Sequence, residues 1–281
     1  MCCLVQSYSF EPRPNCTRAH FPVADLREDG GIVYPAAPMN KTLLPLLLTL
    51  AAASLPVNSQ EPKPQDAQGS AKQAGDKDQT ARDPAIAAID EACKKVDTKA
   101  QGWRTSLSAP SKQSFTSGVD YFWKLKTTKG DVKVLLLADS APMHVTSTIY
   151  LTRLGFYDGL SFHRVIQGFM AHGGCPLGSG TGGPGYKYEG EFGGNRKHDK
   201  PGILSMANAG PRTDGSQFFL TFVPTPWLDG RHTIFGEVVD GMGTLQKLEA
   251  AGSQSGRPSE PLSIISATIA VESKSGGGSN K

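Results

Sequence analysis

Apolar and polar residues along this chain change their period several times, and each change predicts an element. From Asp120 onward short apolar runs alternate with Gly, Pro and Asn, the pattern of strands separated by turns. Tyr121–Lys126 and Val132–Leu137 flank Lys129-Gly130-Asp131, which predicts a β-hairpin with its turn at those three residues. Pro142 can open a helix whose Val145, Ile149 and Thr152 share a face, and Gly155 can end it. Phe162–Met170 begins as a strand rich in β-branched and aromatic residues, and Gly168 interrupts it, as glycine does at a bulge or bend. Further strands are expected at Ile203–Ala207, Phe218–Val223, Ile234–Val239 and Ile264–Val271, and a second helix at Met242, Leu245 and Leu248. Six or more strands with two helices make a β-rich domain, for which a closed barrel is one arrangement.

The first third of the chain reads differently. Residues 1–38 show no regular period. Met39-Asn40-Lys41 then leads into an apolar run, Leu43 to Leu55, closed by Val57-Asn58-Ser59. A short positive head, an apolar middle too short to span a bilayer and a small-residue exit predict a signal peptide over 39–59. A Met at its head predicts that translation starts at Met39, with 1–38 an upstream extension. Residues 60–82 have no large apolar side chain and are expected to be a disordered linker. Asp83-Pro84 can cap and open a helix, with Ile86, Ile89, Cys93 and Val96 at helical spacing. This N-terminal helical extension, 83–117, either packs on the domain that follows or serves a partner. The rest of the chain is expected to be one β-rich domain over 118–273 and a flexible polar tail over 274–281.

Composition narrows the function classes. A net charge of +3 with no basic block gives no case for nucleic-acid binding. Five cysteines include no C-x-x-C, so no redox pair or zinc knuckle is indicated, and Cys93 and Cys175 are the two beyond residue 38. Whether those two pair is open on sequence alone. Gly178–Gly183 fits G-x-G-x-x-G, but Pro184-Gly185 stands where a helix should open, so a dinucleotide site is rejected. The histidines match no metal-ligand spacing, and neither a nucleophile elbow nor a telling carboxylate pair is present. No metal or cofactor is therefore assigned.

One charged group needs a reason. Strict alternation puts Arg164 on the face of Phe162 and Ile166, and His163 on the opposite, interior face as a satisfied histidine. A guanidinium on an apolar face either lies flat along its stem or meets a partner. The remaining motifs favour the partner. They are Leu204–Gly210, Gly215–Thr221 and Pro226–Gly236, following Phe162-His163-Arg164 and Gly168-Phe169-Met170 in order.

This set, over roughly residues 119–272, closely resembles the cyclophilin family of peptidyl-prolyl isomerases, of the bacterial exported type. The resemblance implies a mainly β fold, an eight-stranded antiparallel closed β-barrel capped by a helix at each end. It implies Arg164 as the catalytic arginine. Phe169, Met170, Phe219 and Leu228 match the pocket for the proline ring, flanked by His232. Asn208 matches the residue whose backbone holds the substrate chain, with Ala207 and Ala209 beside it. Gln217 matches a groove residue supporting arginine and substrate, Trp227 the tryptophan associated with cyclosporin, and Gly180 the loop of the neighbouring subsite. His172 stands where the family usually has a glutamine bracing the arginine, and Cys175 where aspartate is common.

The expected function is rotation of X–Pro bonds in the folding of exported proteins, in the periplasm or outside the cell. Proline-containing unfolded or extended polypeptides are the expected partners and cyclosporin the expected inhibitor, with no stable membrane insertion once the leader is cleaved. The alternative is a non-catalytic module that binds proline peptides as a chaperone or scaffold; an intact arginine speaks for the enzyme.

Overall fold

Large apolar residues alternating with lysines build the first hairpin. In the computed structural model, which describes residues 80–274, β1 (Val119–Thr127) and β2 (Gly130–Leu136) pair antiparallel, Tyr121 opposite Leu136 and Thr127 opposite Gly130. The turn is therefore Thr128-Lys129, one step earlier than the glycine suggested, because Thr127 Oγ1 accepts from the Lys129 N–H and donates to the Gly130 carbonyl. Tyr121, Trp123 and Leu125 point inward and are buried, while Lys124 and Lys126 are exposed.

Six more strands complete one sheet: β3 (Arg164–Ile166), β4 (Met170–Gly173), β5 (Ile203–Met206), β6 (Phe218–Thr221), β7 (Ile234–Asp240) and β8 (Ile264–Ser273). Their order is β3-β4-β6-β5-β7-β2-β1-β8, and every pairing is antiparallel. The curled sheet is closed between its edges by the segment before β3 rather than by a full ladder. Ser161 bridges Ser263, the Phe162 N–H donates to the Leu262 carbonyl, and Gly159 and Leu160 exchange bonds with Ile264. That detour corrects the expected face of Phe162. It is not part of β3 but sits 1% exposed in the core, while Arg164, two residues on, is exposed.

The core is aromatic. Trp123 lies edge-on to Tyr157 and Phe218, with ring centroids 5.0 and 4.9 Å apart. Helices α2 (Pro142–Arg153) and α3 (Met242–Ala250) contribute Val145, Ile149, Leu151, Leu245 and Leu248 to the same cluster. Helix α2 is buried from His144 to Thr152, more than the one face its periodicity predicts. The reason is α1 (Pro84–Cys93), which covers its outer side. Ile86 and Ile89 join the barrel's core, and Arg153 makes a two-pronged ion pair with Asp90 at 2.6 and 2.7 Å.

The N-terminal extension therefore packs on the barrel. Only Pro84–Cys93 is α-helical; Trp103–Thr105 is a single 3-10 turn and the rest is irregular. Asp83 explains the start of α1, since its Oδ1 accepts from the Ala85 and Ile86 N–H groups. Its Oδ2 accepts from Tyr121 at 2.6 Å and from Thr116 at 2.7 Å, tying cap to barrel. Thr80–Arg82 forms another 3-10 turn at the end of the expected linker, where Thr80 Oγ1 accepts from the Val271 N–H. The expectations for 1–38, the leader at 39–59, linker residues 60–79 and tail residues 275–281 lie outside the described residues. Cys93 and Cys175 are both free thiols. No helix among the described residues is long and apolar enough to cross a membrane.

Candidate active site

Parity sorts the residues on one end of the sheet. On β3, β4, β6 and β5 the side chains of Val165, Ala171, Phe218, Leu220, Leu204 and Met206 belong to the core. Their neighbours must then point outward. Register aligns those neighbours into a row: Arg164 pairs with His172, His172 with Phe219, and Phe219 with Ser205. Met170, opposite Ile166 and Thr221, lies one step along the same outer face. The adjacent strands β3 and β4 and the distant β6 thus place a cation, an imidazole and an aromatic ring side by side.

Arg164 is exposed and, among the described residues, has no hydrogen-bond or ion-pair partner for its guanidinium. Its stem is seated on Gly256, whose carbonyl accepts from the Val165 N–H at 2.8 Å. A Cβ on Gly256 would come within 2.9 Å of Arg164 Cγ, and the φ of +86° there also excludes most side chains. Sequence reasoning missed Gly256, and nothing in its surroundings, Ser255-Gly256-Arg257, distinguishes it from an ordinary turn.

Beside the arginine stands an apolar wall. Phe169 follows the Gly168 turn (φ +71°), and its ring lies 6.0 Å from that of Trp227. Trp227, 58% exposed, and half-buried Leu228 come from the 3-10 turn Pro226–Leu228. Phe219 meets His232 edge-on at 5.5 Å, and His232 is oriented by a 2.9 Å bond between Nδ1 and the Met206 carbonyl. Under Phe219, stacked at 6.2 Å, lies His198, which no sequence spacing revealed. Its Nδ1 bonds Asp229 at 2.8 Å and its Nε2 bonds Ser205 Oγ at 2.9 Å. Asp, His and Ser here have the distances of a hydrolytic triad, yet Ser205 is fully buried and donates to the Thr233 carbonyl. No substrate can reach that hydroxyl, so the trio is a brace beneath the wall and not a nucleophile.

Along the rim shared by His172 and Gln217 the backbone is on offer. Ala207 is held by Gln217, its N–H donating to the Gln217 carbonyl, and Ala209 by Thr213. The Asn208 side chain closes the turn, donating to the Arg231 carbonyl and accepting from the Gly210 N–H. Its own main-chain N–H and C=O have no partner among the described residues, so an extended peptide could pair with them. Gln217 makes no hydrogen bond to the arginine: its amide nitrogen donates to the Gly180 and Gly182 carbonyls at 2.9 and 2.7 Å. Its contribution is to fix the 180–182 loop.

The histidines depart from expectation. His163 is half-buried, not a satisfied interior residue; its Nδ1 is buried without a partner, and its ring lies 4.4 Å from that of His172. The detour that takes Phe162 inward also sets His163 on the groove side, against Gly180. His172 makes no hydrogen bond to Arg164, and its Nε2 is likewise buried and unpartnered. Burial, then His163 and Arg164, push its titration down to about 4, with Gln217 weakly opposing. Burial and Arg164 lower His163 as well. Both rings are therefore neutral at pH 7, leaving Arg164 as the fixed charge of the row. Cys175 is fully buried; burial raises its thiol, but the Gly182, Leu177, Gly180 and Ser179 amides more than offset this and lower it.

A pH profile follows from His172. Its second proton arrives only near pH 4, where it would place a cation across from Arg164. Turnover is expected to hold from neutrality to about pH 5 and to fall below it, and His172→Gln should remove the fall. A mutant whose acid limb superimposes on wild type would exclude His172 as its source.

No group of three or more His, Cys, Asp or Glu among the described residues is placed to hold a metal ion. What the site offers is an unpaired fork of donors, an apolar wall and free backbone.

The model of the family cyclophilin type peptidyl-prolyl cis-trans isomerase/CLD matches residues 122–269. The chain is 48% identical over 153 residues to peptidyl-prolyl cis-trans isomerase-like 1 of Gibberella zeae, covering 53% of this chain and 94% of that one. It is 48% identical over 147 residues to peptidyl-prolyl cis-trans isomerase cypE of Dictyostelium discoideum, covering 51% and 94%. Among solved structures it is similar to a cyclophilin type peptidyl-prolyl cis-trans isomerase of Cryptosporidium parvum determined in the presence of the dipeptide Ala-Pro. There the TM-score is 0.51 and the identity 36%, over 53% of this chain and 98% of the other. The chain belongs to the cyclophilin-type peptidyl-prolyl cis-trans isomerases.

Proposed function

We propose that the chain rotates X–Pro bonds in exported proteins as they fold, with Arg164 as its catalytic residue. The observation that carries this reading is the unpaired guanidinium of Arg164 beside an apolar wall. Amide resonance gives the X–Pro bond a barrier of roughly 20 kcal/mol. No covalent bond need be made or broken to cross it; the twisted amide has only to be favoured over both planar isomers. At mid-rotation the prolyl nitrogen becomes pyramidal and regains a lone pair. The guanidinium can then donate to a nitrogen that the planar amide hardly offers. Phe169, Met170, Phe219, Leu228 and His232 hold the ring while the Asn208 backbone aligns the chain, and the carbonyl side turns.

Two further assignments belong to this proposal. Cyclosporin binds the same groove, where exposed Trp227 borders the wall. The apolar run 43–55 is a cleaved leader that delivers the protein to the periplasm or beyond. The test is an isomerisation assay on a proline peptide with and without cyclosporin, together with the mass of the protein recovered from fractionated cells. The proposal expects inhibition and a mature protein lacking residues 39–59. Activity indifferent to the drug would remove the first assignment, and a cytoplasmic chain retaining the apolar run the second. A peptide that binds but is not turned over would favour the scaffold reading.

A further inference from the structure

A second cavity of about 890 Å³ lies beyond Gln217, bordered by His172, the Gly180–Lys187 loop and Ala207–Ala209. One residue on its rim, Thr105, lies outside the stretch matched by the family model, which begins at residue 122. Thr105 does not arrive there by chance. The 3-10 turn that carries it, Trp103–Thr105, is fastened to the barrel on both sides. Before it, Trp103 packs edge-on against Phe156, with centroids 6.3 Å apart. The Arg104 guanidinium donates to the Gly155 and Asp158 carbonyls at 3.3 and 2.9 Å and lies over the Trp103 ring. After it, the Leu107 N–H donates to the Pro184 carbonyl at 2.8 Å, and the Leu107 side chain is buried in the core.

The opposing wall is shaped to receive this strap. Gly185 has φ +104°, and a Cβ there would lie 2.6 Å from the Leu107 nitrogen and 2.8 Å from its carbonyl oxygen. Only a residue without a side chain allows the strap and the loop to approach this closely. The loop's other end is pinned by Gln217 on Gly180 and Gly182. The cavity wall is thus clamped between the groove and the strap, and Thr105, exposed and with its Oγ1 donating to the Gly102 carbonyl, is one of the residues that line the cavity.

We propose that residues 103–107 form part of the substrate groove, with Thr105 setting the size of the substrate side chain admitted to the second cavity. The substrate residue concerned flanks the proline on the side of Gly180 and Asn208. This rests on the groove reading above and adds a specificity determinant contributed by the N-terminal extension.

The test is a panel of proline peptides in which the residues flanking proline are varied from Ala to Phe, assayed with wild type, Thr105→Trp and Thr105→Ala. The readout is the ratio of kcat/KM for large against small side chains. Thr105→Trp should lower that ratio by about tenfold at one flanking position and Thr105→Ala should raise it, since steric fit in a pocket is worth about this much. Ratios within twofold of wild type at every position for both variants would overturn the inference, and so would a uniform loss across the panel. Thr105 is exposed, so both variants should keep the wild-type circular dichroism. If Arg164→Ala stays fully active, the groove itself is misplaced; if it is inactive while the Thr105 ratios do not move, only the strap's role falls.

Discussion

Replacing Arg164 by alanine is expected to lower kcat/KM for a proline peptide by about a hundred- to a thousandfold, the usual cost of removing one pre-aimed donor from a transition state. The fold should survive. The guanidinium has no internal partner among the described residues, so its loss leaves no buried group unsatisfied, and the stability change should stay within about 0.5 kcal/mol. Arg164→Lys should recover little, because an ammonium on a flexible stem lacks the planar fork. Gly256→Ala gives an independent check, since its Cβ would displace the stem of the same arginine without touching its charge. Steady-state kinetics with circular dichroism on the three variants settles the matter. An Arg164→Ala enzyme within fivefold of wild type would refute the assignment.

The second large effect concerns stability. His144, fully buried at the start of α2, bonds Glu191 through Nδ1 at 2.7 Å and Asp214 through Nε2 at 2.8 Å. Glu191 also accepts from the Met143 and His144 N–H groups at the helix N-terminus. Burial opposes charge on His144, but the bonds to Asp214 and Glu191 outweigh it and raise its titration above the ordinary 6.5. Glu191 is lowered from its ordinary 4.5, its bonds to His144 and the helix N-terminus exceeding the effect of burial. His144→Ala leaves two carboxylates facing an empty site and should cost about 3 to 5 kcal/mol in denaturant unfolding.

The pH dependence of that contribution has a definite sign. A raised histidine stabilises fully below its unfolded value and loses the contribution as pH rises through the folded one. A lowered carboxylate stabilises above its unfolded value and loses the contribution as pH falls through the folded one. The cluster therefore contributes most between about pH 4.5 and 6.5, and wild type should lose part of its advantage over His144→Ala as pH rises above neutrality. An advantage that grew with alkalinity would mean that His144 is held neutral instead.

Sequence carried the strands and helices well where period and punctuation agreed. The hairpin, Pro142–Gly155 and the Met242 helix all appear within a residue or two, since their signals are local. It failed where one element changed the environment of another. Helix α2 looks half-exposed by periodicity until α1 covers it, and α1 ends 49 positions before α2 begins (142 minus 93). Phe162 leaves the alternation because the chain there closes the barrel against residues 262–264, a long-range contact that period 2 cannot contain. The same detour misled the reading of His163.

The site divides along the same line. Residues that share a contiguous motif, such as Phe169-Met170 or Ala207-Asn208-Ala209, were visible in the string. The brace of Asp229, His198 and Ser205 under Phe219 joins positions with no common spacing, and the seat of Arg164 on Gly256 joins strand to loop across 92 residues (256 minus 164). Composition does not encode such pairings; register and closure create them.

The central claim is that Arg164 acts on the twisted amide and not on the bound planar peptide. NMR exchange spectroscopy on an Ala-Pro peptide, with wild type and Arg164→Ala at saturating enzyme, separates on-enzyme cis–trans interconversion from affinity. The account predicts that interconversion slows by about two orders of magnitude or more while Kd changes by less than about fivefold. Interconversion at the wild-type rate, with only Kd weakened, would contradict it and leave the arginine as a binding contact.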